Sequence, residues 1–270
     1  MIKIFRKLRW SSLQSILSSV EGRKRIPRYL LYATGEIILV VIGILIALQI
    51  NTNSENRKKR QLEITILENI KEDILADKVD CEFNLTYLKM QLEQEQLLFD
   101  FLMDPATQPP EDIVYSDVLG VDLILSVHSA SFNNLQNNDV GLVSNNELYK
   151  KMTRFYDFYM ATLKKLENDH EYSNTYQAKL PFFEKHFKVV RTKSQIAAGQ
   201  SPADYLEQDY ERYNYEINDL PSIKSDEGFK VLLAESVGIN TVKVSFYDQL
   251  LTKSDELIKA IDSELEVLIN

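Results

Sequence analysis

The segment from Tyr29 to Ile50 is 22 residues long and carries one charged side chain, Glu36. As an α-helix it would reach about 33 Å, enough to cross a hydrocarbon core of roughly 30 Å. Its unbroken apolar part, Ile37 to Leu48, would also suit a cleaved signal peptide. However, 28 residues come before the segment, and no small-x-small cleavage pattern follows it. The sequence therefore predicts an uncleaved transmembrane helix over residues 29–50.

Basic residues predict the orientation of this anchor. Residues 1–28 contain one acid, Glu21, and eight basic side chains: Lys3, Arg6, Lys7, Arg9, Arg23, Lys24, Arg25 and Arg28. Beyond the anchor the nearest basic group is Arg57 to Arg60, with four charges. Since basic residues concentrate on the cytoplasmic side, we expect residues 1–28 in the cytoplasm. This basic segment either forms a short amphipathic helix on the cytoplasmic leaflet or acts only as a topology signal.

The remaining charge is strongly negative. The whole chain carries −9, residues 1–28 contribute +7 and residues 29–60 contribute +2, so residues 61–270 carry −18. An acidic domain of this size argues against nucleic acid and against anionic lipid as its partners.

Hydrophobic periodicity predicts an all-α fold. Apolar residues recur at steps of three and four from Leu67 to Leu102, with interruptions at Asp77 and Glu95. No Pro or Gly occurs between Gly43 and Pro105, so the transmembrane helix should continue into a stalk helix over residues 51–103. We expect residues 104–270 to form a periplasmic bundle, giving roughly four long helices in all.

The elements within residues 104–270 are less uniform. A second helix is expected over 113–128, a short helical turn over 131–138, and a final long helix from about Ser225 to the C-terminus. Ser144 and Glu147 have capping-box spacing at the start of a long helix that Pro181 should kink. Residues 189–200 are expected to form a loop, and Ser201 with Pro202 to start another helix.

The residues that usually carry chemistry are sparse. The three histidines, His128, His170 and His186, have no metal-ligand spacing, and we expect His170 to be a core residue. The single cysteine, Cys81, lies on an apolar stripe, which favours a small buried hydrophobe. No catalytic, cofactor-binding or metal-binding motif is present, so neither an enzyme nor a cofactor is predicted.

One segment combines aromatic and acidic side chains. Residues 203–219 contain several carboxylates and four tyrosines, Tyr205, Tyr210, Tyr213 and Tyr215. Such a segment can bind sugars or cationic groups. Ordinary helix–helix packing with a solvated outer face is the interpretation we favour here.

The sequence of the anchor resembles that of a protein family. The sequence GEIILVVIGILIALQIN, from Gly35 to Asn51, resembles the signature of an uncharacterised family of single-pass membrane proteins of Bacteroidota. A weaker similarity covers Gly141 to Leu148 and Tyr156. The resemblance implies a bacterial inner-membrane protein with a helical periplasmic domain, and it implies no activity.

Glu36 lies about 10 Å inside the cytoplasmic end of the anchor, so we expect it to be protonated or paired. Helical spacing places it on one face with Tyr32, Gly43 and Ala47. The small residues Gly43 and Ala47 would let two helices approach closely, and Glu36 could then hydrogen-bond to the neighbour. The alternative is a protonated acid that faces lipid.

These observations favour an oligomeric scaffold or adaptor subunit of an inner-membrane complex. Its partners would be the lipid bilayer and either a second copy of the chain or other inner-membrane proteins. One alternative is a sensor subunit that binds a ligand and signals through a cytoplasmic partner. Another is an ion-coupled, stator-like subunit that uses Glu36.

Overall fold

The computed structural model describes residues 26–105, 108–138, 141–168, 175–193 and 211–270. These residues are mostly helical, as predicted. The chain divides into two units, Met1–Gln61 and Leu62–Asn270. Of the predicted basic segment, residues 1–25 lie outside the described residues. Arg28 falls in the first turn of the first described helix.

The elements follow one another along the chain in this order: α1 (Ile26–Met103), α2 (Tyr115–Leu119), α3 (Ala130–Asn138), α4 (Asn146–Arg154), a π-helix (Phe155–Met160), α5 (Ala161–Asn168), α6 (Thr175–His186), β1 (Phe187–Lys193), β2 (Glu211–Ile217), α7 (Leu220–Ser225) and α8 (Glu227–Ile269). Residues 29–50 and 51–103 belong to one helix, α1, which is 78 residues long without a break. The final long helix and the short helix over 131–138 are confirmed.

Within the second unit, α1 and α8 pack side by side in opposite directions. Three ion pairs set this direction, because Lys71, Lys78 and Lys89 on α1 meet progressively earlier residues of α8. Their partners are Asp262 at 2.6 Å, Asp255 at 2.8 Å and Asp248 at 3.1 Å. Buried positions on both helices alternate at steps of three and four, the seven-residue pattern of paired helices.

The sequence predicted a helix over 113–128, but only Tyr115–Leu119 is helical. The prediction is therefore wrong for residues 120–128. Gly120, with φ of 63°, follows the last helical residue. Beyond it, backbone N–H groups donate to carboxylates of other helices instead of to carbonyls one turn earlier. Ser126 N–H donates to Asp80 at 2.8 Å and His128 N–H donates to Asp77 at 2.7 Å. These acids replace the hydrogen bonds that a helix would have made.

The predicted capping box is also wrong. Asn145 caps α4, and its side chain accepts hydrogen bonds from the N–H groups of Glu147 and Leu148. Ser144 instead turns toward α1, where its N–H and Oγ donate to the Glu63 carboxylate at 2.6 and 2.8 Å. Ser144 therefore forms hydrogen bonds with a residue 81 positions away in sequence and not with the first turn of the following helix.

The long helix expected after Ser144 is divided. The π-helix follows α4 directly, and its wider turn places the consecutive residues Phe155 and Tyr156 in the interior. The buried stripe consequently shifts to Met160 and Glu167. Pro181, which was expected to kink that long helix, lies inside the separate helix α6.

Two strands replace elements that the sequence predicted differently. β1 falls where a loop was expected over 189–200, and β2 falls in the tyrosine-rich segment expected to be helical. They pair antiparallel, from Phe187 opposite Ile217 to Lys193 opposite Glu211. β2 alternates aromatic or β-branched residues with polar ones from Tyr213 to Ile217, and β1 is rich in β-branched residues, a composition that favours strands once a pairing partner is present. His170, Tyr205, Tyr210 and the predicted helix start at Ser201 and Pro202 lie outside the described residues.

Candidate functional site

The first candidate surface is the apolar half of α1. From Ile37 to Ile50 every large apolar side chain is exposed, from 47% for Val41 to 73% for Leu39. This helix is long and apolar enough to cross a membrane. Burial of such a surface requires lipid or another helix, because nothing else in the described chain covers it.

Four residues on α1 were predicted to mediate helix association. Tyr32, Glu36, Gly43 and Ala47 are all exposed, so the described chain leaves this face free. A Cβ atom built on Gly43 would meet no atom within 4 Å. Packing among the described residues therefore gives no reason for a glycine at this position, and a second helix has room to approach there.

The second candidate site is a buried polar layer within Leu62–Asn270. One hydrophobic cluster includes Leu67 to Leu85 of α1 and Tyr247 to Leu268 of α8. The other includes Leu98 to Leu102 of α1 and Phe229 and Leu233 of α8. Polar side chains occupy the space between the two clusters: Gln91 and Glu95 from α1, Lys179 from α6, and Ser236, Asn240 and Lys243 from α8.

Glu95 is the centre of this layer and is fully buried. Its carboxylate accepts hydrogen bonds from Gln91 Nε2 at 3.0 Å, from Ser236 Oγ at 3.0 Å and from Asn240 Nδ2 at 3.0 and 3.1 Å. It also forms an ion pair with the fully buried Lys179. A buried charge needs this number of partners, because water is not there to solvate it.

Lys179 and Gly120 tie the irregular segment after α2 to the same layer. The Lys179 ammonium donates to the carbonyl of Val118 at 2.8 Å as well as to Glu95. Burial lowers the pKa of this ammonium, and the charge of Glu95 opposes that shift. At Gly120 a Cβ atom would lie 2.4 Å from Cδ of Gln91. Glycine is needed there both for its φ and for this close approach.

A second group of polar side chains borders the layer. Burial lowers the pKa of the Lys243 ammonium, which lies 3.8 Å from the Asp122 carboxylate. Tyr247 donates to the Glu167 carboxylate and accepts from Asn84 at 3.2 Å. Burial raises the pKa values of both Glu167 and Tyr247.

The arrangement can fix helix register and offers little room for a substrate. The cavity bordered by Asn84, Gln91, Asp122, Lys243 and Tyr247 has a volume of about 10 Å³, space for roughly one water molecule. No group of His, Cys, Asp or Glu among the described residues is placed to hold a metal ion. A buried charge with several donors pairs correctly in only one register of the surrounding helices.

The sequence analysis did not predict this polar layer, although the spacing of apolar residues in the sequence indicates part of it. The predicted apolar stripe of α1 is interrupted at Asp77 and Glu95. Both are positions with buried polar side chains. The expectation for Cys81 is confirmed, since it is buried and its Sγ lies 3.8 Å from the carbonyl of Tyr247. His128 and His186 each contact one carboxylate, Asp77 and Asp226.

Residues 36–105 match a family of unknown function (DUF6090). The matched region contains Glu36, Gly43, Ala47 and the polar positions Gln91 and Glu95. It supports the expected relationship to an uncharacterised family. No curated protein and no solved structure matches the chain.

Proposed function

We propose that this protein is a membrane-anchored scaffold or adaptor subunit of a bacterial inner-membrane complex. Residues 29–50 form its transmembrane helix, residues 1–28 lie in the cytoplasm, and the remainder is a periplasmic domain that is mostly helical. The anchor associates through Tyr32, Glu36, Gly43 and Ala47 with a second copy or with another membrane protein.

The observation that carries this proposal is the uncovered face of α1. Its large apolar side chains are all exposed from Ile37 to Ile50, which suits lipid and not water. On this surface the open position at Gly43 and the carboxyl group of Glu36 provide close approach and a hydrogen bond, the two features that hold transmembrane helices together.

The interior of the second unit supports a binding role over a catalytic one. Its buried polar layer is satisfied by hydrogen bonds among its own side chains, with Glu95 alone accepting from four residues. Such a layer holds the helices of this domain in one fixed arrangement. The charge of −18 over residues 61–270 would favour partners with a basic surface.

The orientation can be tested with reporter fusions. A reporter active only in the periplasm, fused after Asn270, should be active because eight basic residues precede the anchor and four follow it. The same fusion with all eight replaced by Gln serves as a comparison and should lose part of this activity. Activity of only a cytoplasmic reporter after Asn270 would contradict the orientation.

Association can be tested by energy transfer between labelled copies of the full-length chain in lipid bilayers. Gly43→Ile should reduce transfer, since a large side chain prevents close approach of two helices. Thr34→Ile is the matched control, because it also introduces an isoleucine but lies nine residues away, on the opposite face of the helix. Pull-down from native membranes with both variants extends the test to other subunits. Equal transfer for the wild type and both variants, with no protein lost in the pull-down, would exclude association through this face.

A further inference from the structure

A cleft of about 410 Å³ opens between the α4–π-helix region and α8. Its floor is apolar and is formed by the buried side chains of Phe155 and Leu257. Its walls carry four basic side chains and one acidic one, together with a tyrosine: Lys151, Arg154, Lys253, Lys259, Glu256 and Tyr159. This volume is within the usual range for small-ligand sites.

Three of the basic side chains of the cleft differ in their pairing from the lysines that join α1 to α8. On α1, Lys71, Lys78 and Lys89 each contact an aspartate of α8. In the cleft Lys253 pairs with Glu256 at 2.7 Å. The other three, at positions 151, 154 and 259, form no ion pair with any residue that the structure describes. The cleft therefore brings together three cations that have no ion-pair partner among the described residues, in a domain whose net charge is strongly negative.

The π-helix adds an aromatic surface to this charge. Arg154 is the last residue before it, and the Arg154 guanidinium carbon lies 5.9 Å from the centre of the Tyr159 ring. Tyr159 is only partly buried, so one side of its ring can contact a ligand. π-Helices that interrupt α-helices frequently lie at functional sites.

From these features we propose that the cleft binds a phosphate ester with an apolar or aromatic substituent. A phosphate group carries close to two negative charges and several acceptor oxygens, which matches three separate cations better than a single carboxylate does. The guanidinium of Arg154 can contact two oxygens at once, and the lysines at 151 and 259 contact the group from either side. The substituent packs against the Tyr159 ring, above the apolar floor.

This chemistry has two possible sources, a soluble phosphorylated compound and a phospholipid head group. Titration calorimetry on the full-length protein in a non-ionic detergent can distinguish them. Phenyl phosphate represents the first source, and the short-chain lipid dihexanoyl phosphatidic acid, which is also a phosphate monoester, represents the second. Inorganic phosphate and phenol are the controls for the charged and the aromatic half of the ligand.

One of the two esters should bind saturably, about fivefold or more tightly than inorganic phosphate, because the substituent adds apolar contact. Arg154→Gln and Lys259→Gln should each weaken that binding by about fivefold or more, since each removes a charge-assisted hydrogen bond. Lys150→Gln is the matched control. It removes the same charge from the same helix, but Lys150 pairs with Glu147 outside the cleft and should change the affinity less than about twofold.

Tighter binding of phenyl phosphate identifies a soluble ester, and tighter binding of the lipid identifies a head group. The proposal is overturned if neither ester binds saturably, or if neither binds more tightly than inorganic phosphate. It is also overturned if Lys150→Gln weakens binding as much as Arg154→Gln does, because attraction would then depend only on net charge. Helical content by circular dichroism should be unchanged in all three variants, since these side chains are exposed.

Discussion

The ammonium of Lys179 donates a hydrogen bond to the carboxylate of Glu95, and both side chains are completely buried. The two residues are 84 positions apart in sequence and lie on different helices, α6 and α1. Asn240 of α8 donates to the same carboxylate. A single charge thereby connects three helices between two hydrophobic clusters, and its burial is tolerated only while all of these partners stay in register.

Residues 62–270 should fold without the anchor into a soluble, mostly helical domain. Both hydrophobic clusters and the buried polar layer lie within these residues, so removal of residues 1–61 takes away no core contact that they contain. Far-ultraviolet circular dichroism should show a helical spectrum, and unfolding in urea should be cooperative. A spectrum dominated by strand, or a gradual loss of signal in urea, would contradict the fold.

In this isolated domain, removal of one partner of the buried ion pair should be severe. Glu95→Leu or Lys179→Met should each lower the free energy of unfolding by about 3–5 kcal/mol, because each leaves the other charge buried and unpaired. The double variant should lose less than the sum of the two single losses, by about 1 kcal/mol or more, since it leaves neither charge behind. Urea denaturation measures all three.

The control for this pair is Lys89→Gln. Lys89 also forms an ion pair between helices, with Asp248 at 3.1 Å, but both side chains are about half exposed. Its loss should lower the free energy of unfolding by less than about 1 kcal/mol. If Lys179→Met proves as mild as Lys89→Gln, the Glu95–Lys179 pair does not determine the packing of α1 and α6.

The sequence predicted the apolar positions of the long helices well and the polar layer poorly. Leu67 and Ile261 follow helical periodicity, and burial of an apolar side chain requires no particular partner. Glu95 and Lys179 are the opposite case, because their burial depends on donors and acceptors that the fold supplies from distant segments. The same dependence explains the segment after Gly120, whose backbone is held by carboxylates of other helices and not by local bonds.

Gly120→Ala should destabilise the isolated domain, whereas Gly238→Ala should not. Gly120 combines φ of 63° with ψ of −168°, a conformation that is essentially restricted to glycine, and a Cβ atom there would overlap the side chain of Gln91. We expect a loss of about 1–3 kcal/mol in the free energy of unfolding. Gly238 lies in α8 with open space at its Cβ position, so alanine should stabilise by about 0.5–1 kcal/mol. Equal effects of the two substitutions on the free energy of unfolding would contradict the backbone conformation described for Gly120.

The contribution of His128 to stability should depend on pH. Its hydrogen bond to Asp77, at 2.8 Å, raises the pKa of the imidazole above the ordinary value of 6.5. Because the folded pKa is the higher one, the stabilisation is fully present below the unfolded value and is lost as the pH rises through the folded value. The difference in unfolding free energy between the wild type and His128→Gln should therefore be larger near pH 6 than near pH 9. A difference that is constant over this range would show that folding does not change the pKa of the imidazole.

Glu36 separates the adaptor from an ion-coupled subunit. In the adaptor, a protonated Glu36 is a hydrogen-bonding group, so Glu36→Gln keeps both donor and acceptor and should preserve association and function. Glu36→Leu should weaken association by about 1 kcal/mol, since interhelical hydrogen bonds in bilayers average roughly 0.6 and reach about 1.7 kcal/mol. In an ion-coupled subunit the carboxyl group must titrate, so Glu36→Gln would abolish function while the complex stays assembled.

Energy transfer in bilayers measures assembly, and rescue of a strain that lacks the protein measures function. Loss of rescue by Glu36→Gln with unchanged energy transfer would favour the ion-coupled subunit. Unchanged energy transfer for both Glu36→Leu and Gly43→Ile would instead mean that this face of α1 contacts only lipid.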